Sequence, residues 1–187
     1  MINKDEVLAL LADLESDRVE RTISTTNTDK FCEAICAFAN DMPNHRSPGY
    51  LLIGADDRGR LSGLTVTDEL LKNLSSIRSD GNVLPQPYMN VGKISFAEGE
   101  VAVVEVYPSD LPPVRYKGRV HIRVGPRKGF ANEQEERVLS ERRVALARSF
   151  DARPCYEATL EEIALGQFDA YRREVVAQET IAANNRP

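Results

Sequence analysis

An uninterrupted apolar run, Tyr50-Leu51-Leu52-Ile53, is closed on either side by Gly49 and Gly54. So short a run between glycines predicts a buried strand rather than a helix. The strand empties into Asp56-Asp57, and Gly59-Arg60 turns the chain back toward Leu61. Adjacent carboxylates where a strand meets solvent suit a ligand, a metal ion, or a turn in which aspartates bond their own backbone. Upstream, Val7, Leu8, Leu10, Leu11 and Leu14 recur at helical spacing and predict a helix from Asp5 to Leu14. Val19, Arg21 and Ile23 alternate with Glu20 and Thr22, which is a strand pattern. Asn27 or Thr28 caps a second helix with Phe31, Ile35 and Phe38 on one stripe. Ala34, Ala37 and Ala39 allow that helix to pack closely, and it ends near Asn40 before a loop punctuated by Pro43 and Pro48.

Downstream, Thr67 caps a third helix reaching Arg78, with Leu70, Leu71, Leu74 and Ile77 as its apolar stripe. Leu84-Pro85-Gln86-Pro87 reads as an extended link. Met89 to Phe96 and Val101 to Tyr107 predict two strands around an Ala97-Glu98-Gly99-Glu100 hairpin turn. Val114 to Gly125 predicts a second hairpin with Gly118 in its turn. Beyond that turn, Val120, Ile122 and Val124 share one face while Arg119, His121 and Arg123 share the other. Asn132 opens a charged helix with Val138, Leu139, Ala145 and Leu146 as its packing edge. After a break at Asp151-Ala152-Arg153-Pro154, Thr159 to Ile163 is a helix start of capping-box type, and a last helix runs from Phe168 to Ala183. No internal repeat is present. These elements give an α+β domain over residues 5–147, a mixed β-sheet flanked by helices, with a helical C-terminal extension over 148–187.

Composition narrows the class. The 187 residues, 42% hydrophobic and 28% charged, describe an ordinary soluble globular chain. No apolar run approaches membrane-spanning length, and the polar start Met1 to Glu6 is unlike a secretory signal, so the expected location is cytoplasmic. The three cysteines, Cys32, Cys36 and Cys155, have no framework or zinc spacing, and Cys32 and Cys36 read as buried structural thiols. The histidines, His45 and His121, lack the nucleophile context that triad chemistry requires.

The net charge of -5 argues against a protein that coats nucleic acid through bulk charge. A local patch is a different matter. No Asp or Glu occurs between Leu111 and Asn132, a stretch that carries Arg115, Lys117, Arg119, His121, Arg123, Arg127 and Lys128. Clustered cations of this kind are either a solvated strand face or a phosphate-contacting surface.

The order of these motifs resembles a known family, the Schlafen-type AlbA domain, once labelled a divergent AAA ATP-binding domain. Glu15 and Glu20, Ala37-Phe38-Ala39-Asn40, Leu52 to Gly59, Gly63, Tyr116-Lys117-Gly118 and Ile122-Arg123-Val124-Gly125 carry the resemblance, with Ala131, Glu135 and Glu136 completing it. It covers roughly residues 5 to 147. Phe150 to Pro154 and Ala158 to Ile163 are similar to the segment that follows this domain in RecG-like bacterial transcriptional regulators. Glu20-Arg21-Thr22 stands where the family typically has Glu-Phe-Lys, so the family lysine is missing. The longer Asp41 to Gly49 loop replaces the usual Asn-x-x-Gly-Gly.

The resemblance implies a nucleic-acid-binding module of a regulator, with DNA or RNA as partner. Its alternative is a metal-dependent ribonuclease, as in some Schlafen proteins, in which Glu15, Glu20 and Asp56 or Asp57 would hold Mg²⁺ or Mn²⁺. ATP binding, the older label, finds poor support, because Arg60 and Leu61 follow Gly54 and Gly59 where a phosphate-binding loop has Lys and Ser or Thr. An oligomerisation role would use the charged helix from Asn132 and the final helix as packing surfaces between subunits.

Overall fold

In the computed structural model the chain separates into two units, residues 1–148 and 149–187. The structure describes residues 2–146. Cys155 and the helices expected after residue 158 lie outside the described residues. Helix α1 (Lys4–Ala12) leads into strand β1 (Val19–Thr22), α2 (Thr28–Asn40) and β2 (Gly49–Ile53). Then come α3 (Asp68–Ser76), β3 (Val83–Leu84), β4 (Met89–Phe96), β5 (Gly99–Val106), β6 (Arg115–Tyr116), β7 (His121–Val124), β8 (Arg127–Phe130) and α4 (Glu133–Leu146). The class is α+β, with a mixed sheet flanked by helices.

The main sheet has the order β1-β2-β5-β4. β1 runs parallel to β2, Val19 opposite Tyr50 and Thr22 opposite Ile53, and α2 makes the crossover between them. The other pairings are antiparallel. Both faces of the sheet are covered, which is why the central strands read as continuous apolar runs rather than as an alternation. Leu51, Ile53, Ala102 and Val104 pack with Phe31, Ile35 and Phe38 of α2 and Leu70 and Leu74 of α3. Leu52, Val101 and Val103 pack on the opposite face with Val7 and Leu11 of α1.

The N-terminus of α2 is capped by Asn27, whose side chain accepts from the Lys30 N–H, and its C-terminus ends in Asp41 at φ 40. The last helical residue, Asn40, is buried with a fully occupied side chain. Its Nδ2 donates to the Val114 carbonyl at 2.9 Å and to the His121 carbonyl at 2.8 Å, while its Oδ1 accepts from the Val114 N–H at 2.7 Å. α2 is thereby tied to the segment entering β6 and to the start of β7. Gly49 is required where β2 passes this helix, since a Cβ there would run into the Phe38 ring.

The segment after Val114 differs from the single hairpin predicted. The turn is where the sequence placed it: Tyr116 and Arg119 exchange backbone bonds of 2.9 and 3.0 Å across Lys117 at φ 47 and Gly118 at φ 79. Left-handed backbone at both central residues is the type I′ signature that suits a tight hairpin. The arms then part. β6 pairs with β3, a strand that ends on Leu84, the first residue of what reads as an extended link, and β7 pairs with β8 across a second turn at Gly125-Pro126. β7 lies between two helices, with Arg123 on the ring of Phe38 of α2 and Ile122 against Leu139 of α4. The alternation of Val120 and Ile122 with His121 and Arg123 therefore marks two covered faces, not one buried and one wet.

Replacing Phe38, whose ring is buried among α2, β2 and β7, by alanine is expected to cost about 3–5 kcal/mol in chemical denaturation. Asn40→Ala orphans the buried Val114 N–H and His121 carbonyl and leaves the Val114 carbonyl with only the Cys36 thiol, at 3.3 Å. It should cost at least about 2 kcal/mol, whereas an exposed asparagine substituted in the same way should change stability by less than about 0.5 kcal/mol.

Candidate nucleic-acid interface

The carboxyl ends of the parallel strands β1 and β2 open onto a cleft of about 260 Å³, lined by Glu20, Arg21, Lys30, Phe31, Asp56 and Asp57 among others. Parallel strands end together there because α2 carries the chain back across the sheet. Each carboxylate of the expected metal site has a different fate. Glu20 is ion-paired with Arg123, which reaches it from β7. Asp56 closes its own turn: Oδ1 accepts from the Arg58 and Arg60 N–H groups at 2.9 Å each, and Oδ2 from Arg60 Nε at 2.9 Å. The backbone bond from Arg60 is foremost in holding the Asp56 carboxyl below its ordinary range. Asp57 is exposed at the cleft edge. Glu15 is exposed in the connection before β1 and does not line the cleft.

The carboxylates implied by the resemblance are thus not gathered into one donor set, and among the described residues no group of three His, Cys, Asp or Glu side chains is placed to hold a metal ion. With Glu20 committed to Arg123 and Asp56 to its turn, the arrangement does not fit Mg²⁺ or Mn²⁺. Mutual repulsion is relieved instead by arginine.

Arg21 does not take the place of the missing lysine. Its guanidinium turns to the end of α1 and donates to the Leu10 and Asp13 carbonyls. A cation there satisfies terminal helix carbonyls and complements the negative end of the dipole. Desolvation lowers its pKa, partly offset by the negative charges of Asp13, Asp57 and Glu20.

The basic segment divides into three groups. Arg123 is 4% exposed: beside Glu20 it donates to the Val19 carbonyl at 3.2 Å and the Pro126 carbonyl at 2.8 Å. His121 is also buried, its ring 4.8 Å from Phe130. Neither is available to phosphate in this conformation, because β7 is covered on both faces. Arg115, Lys117 and Lys128 are committed to carboxylates, at 2.7 Å to Glu136, 2.9 Å to Asp29 and 2.9 Å to Glu33. Arg119 and Arg127 are exposed and have no carboxylate partner among the described residues. The Arg119 guanidinium lies 5.1 Å from the centre of the Phe130 ring, which is 59% exposed. Phe130 went unnoticed in the sequence, where it looks like an isolated aromatic. Its only signal is its place in a run without acidic residues.

Residues 15–132, well over half of the chain, match the model of the Schlafen, AlbA_2 family. The chain belongs to that family. The carboxylate cleft, the Asn40 bridge and the basic turns all fall within the matched span, while α4 falls outside it. Among solved structures, the chain is similar to the N-terminal domain of an ATP-dependent DNA helicase RecG-related protein from Nitrosomonas europaea, at 26% identity and a TM-score of 0.41, over 55% of this chain and 72% of that one. It is also similar to the DIP2311 protein from Corynebacterium diphtheriae, at 17% identity and a TM-score of 0.47, over 68% of this chain and 29% of that one. No curated protein matches it. No helix among the described residues is long and apolar enough to cross a membrane.

Three outcomes follow from the buried groups of this AlbA_2 domain. Arg123→Ala removes the partner of Glu20 and should destabilise the fold by about 3–5 kcal/mol in urea denaturation. Burial lowers the pKa of His121 below its ordinary value of about 6.5, Glu33 opposing and Lys128 and Arg119 assisting. The unfolded chain then holds more protons on this group as pH falls, so the stability is present above pH 6.5 and lost below it. His121→Gln should flatten that part of a stability-against-pH profile. Burial also pushes the Cys32 thiol up to about 11 and the Cys36 thiol up to about 12, so neither should react with Ellman's reagent at pH 8 until the protein unfolds.

Proposed function

We propose that residues 5–147 form a nucleic-acid-binding domain within a bacterial transcriptional regulator. Membership of the Schlafen, AlbA_2 family supports the reading. The observation that carries it is the pair of exposed arginines at the two turns that flank β7: Arg119 leaves the Lys117-Gly118 turn and Arg127 leaves the Gly125-Pro126 turn. Both residues are exposed and have no carboxylate partner among the described residues, as phosphate contacts require. An exposed Phe130 beside Arg119 adds a face on which a base can stack. The net charge of -5 makes the patch, not the whole protein, the source of attraction.

The Arg119 and Arg123 pair suggested by strand alternation is the wrong pair to mutate, since Arg123 supports the fold. Arg119→Ala with Arg127→Ala leaves the core untouched. Fluorescence anisotropy against a labelled oligonucleotide should show weaker binding, and the slope of log affinity against log salt should fall by about one for each lost phosphate contact. An unchanged affinity and slope would refute the reading.

A further inference from the structure

A second and larger cleft, of about 370 Å³, opens on the other side of the loop that precedes α2. Phe31 lines both clefts, and the 23–28 loop stands between them. The floor is apolar: Phe31, Leu70, Leu74 and Ile77 are all buried core residues. The rim is polar and uncharged apart from Asp80, with hydroxyls from Thr25, Thr26, Thr28 and Ser76 and the amide of Asn73. Asp80 is already turned to the Asn82 N–H at 2.8 Å. Among the described residues, the Asn73 amide and the Thr25 hydroxyl have no hydrogen-bond partner, so the rim offers a donor-and-acceptor pair and a free hydroxyl. Among the described residues no lysine or arginine lines this cleft, so it offers a charged phosphate no cation. Its volume falls within the range of about 300–1,000 Å³ usual for small-ligand clefts.

We propose that this cleft takes an unstacked nucleobase, and that the domain consequently prefers single-stranded nucleic acid to duplex. The inference rests on the nucleic-acid reading above and adds the ligand form. A flat heterocycle with apolar faces and a hydrogen-bonding edge matches an apolar floor under an amide and hydroxyl rim. One of the two exposed arginines, Arg119, follows the turn that adjoins this rim. The Lys117-Gly118 turn is fastened beside the rim on two sides: Lys117 Nζ pairs with Asp29, next to Thr28, and the Lys117 N–H donates to the Asn82 carbonyl at 3.1 Å, two residues from Asp80. Tyr116 Oη donates to the same Asp29 at 2.5 Å, which fixes the turn against α2. Arg119 follows directly, so a strand crossing this turn meets its charges and presents a base to the cleft. A paired base in a duplex cannot enter without being flipped, which costs a few kcal/mol.

The test compares a short labelled single strand, made as DNA and as RNA, with the corresponding DNA duplex. Anisotropy is measured for the wild type, for Asn73→Trp, which fills the cleft from an exposed position on α3, and for Asn73→Ala, which only removes the amide. Tighter single-strand binding is expected, with DNA and RNA arms reporting the sugar preference. Losing a stacked base should weaken the single-strand complex of Asn73→Trp by roughly five-fold or more while leaving its salt slope and its duplex affinity unchanged. Asn73→Ala should show a smaller loss in the same direction. A strand carrying 2-aminopurine should change fluorescence on binding the wild type and not Asn73→Trp. Equal single-strand and duplex affinities, or a filled cleft that binds as well as the wild type, would overturn the inference. If Arg119→Ala with Arg127→Ala still loses binding in that case, the nucleic-acid reading stands and only the base cleft falls. If neither variant changes binding, both fail.

Discussion

The side chain of Asn40 is the point on which the domain turns. One amide, buried at the end of α2, satisfies the Val114 N–H and the carbonyls of Val114 and His121. These groups lie where the chain leaves the main sheet for its small second and third sheets, and no ladder bond is available to them there. A buried backbone group without a partner costs more than a good hydrogen bond gains. The bridge therefore decides that β6 and β7 lie against α2. The basic turns inherit their positions from that contact.

Arg123 is the second fastening of the same assembly. It reaches from β7 to Glu20 on β1, so a cation that looks like a ligand-binding residue closes the fold instead. The pair also shapes the electrostatics of the first cleft. Glu20 would otherwise sit with Asp57 and Asp56 near one another; Arg123, Arg21 and Arg60 disperse that charge. What faces solvent is a separation of roles: paired carboxylates at the ends of β1 and β2, and free arginines on the turns beyond.

Much of the scaffold was legible in the sequence. The caps at Asn27 and Thr67, the stripe of Phe31, Ile35 and Phe38, and the β4–β5 hairpin all appear where local rules place them. Short-range chemistry suffices for these, since a cap or a tight turn is satisfied within a few residues. The I′ turn at Lys117-Gly118 was legible for the same reason. The β3–β6 and β7–β8 pairings were not, because two- and four-residue strands carry too little pattern to announce a partner.

The sequence by itself determined the family, the α+β class, most helix and strand positions and the existence of a basic segment free of carboxylates. Tertiary structure decided which of those cations remain available. A period of two says which side chains share a face of a strand; it does not say what covers each face. Here α2 and α4 cover both faces of β7, so His121 and Arg123 go inward while Arg119 and Arg127 stay in water. Likewise the spacing of Glu15, Glu20 and Asp56 could not reveal their partners, because an ion pair with Arg123, more than a hundred residues along the chain from Glu20, is a fact of three-dimensional packing alone.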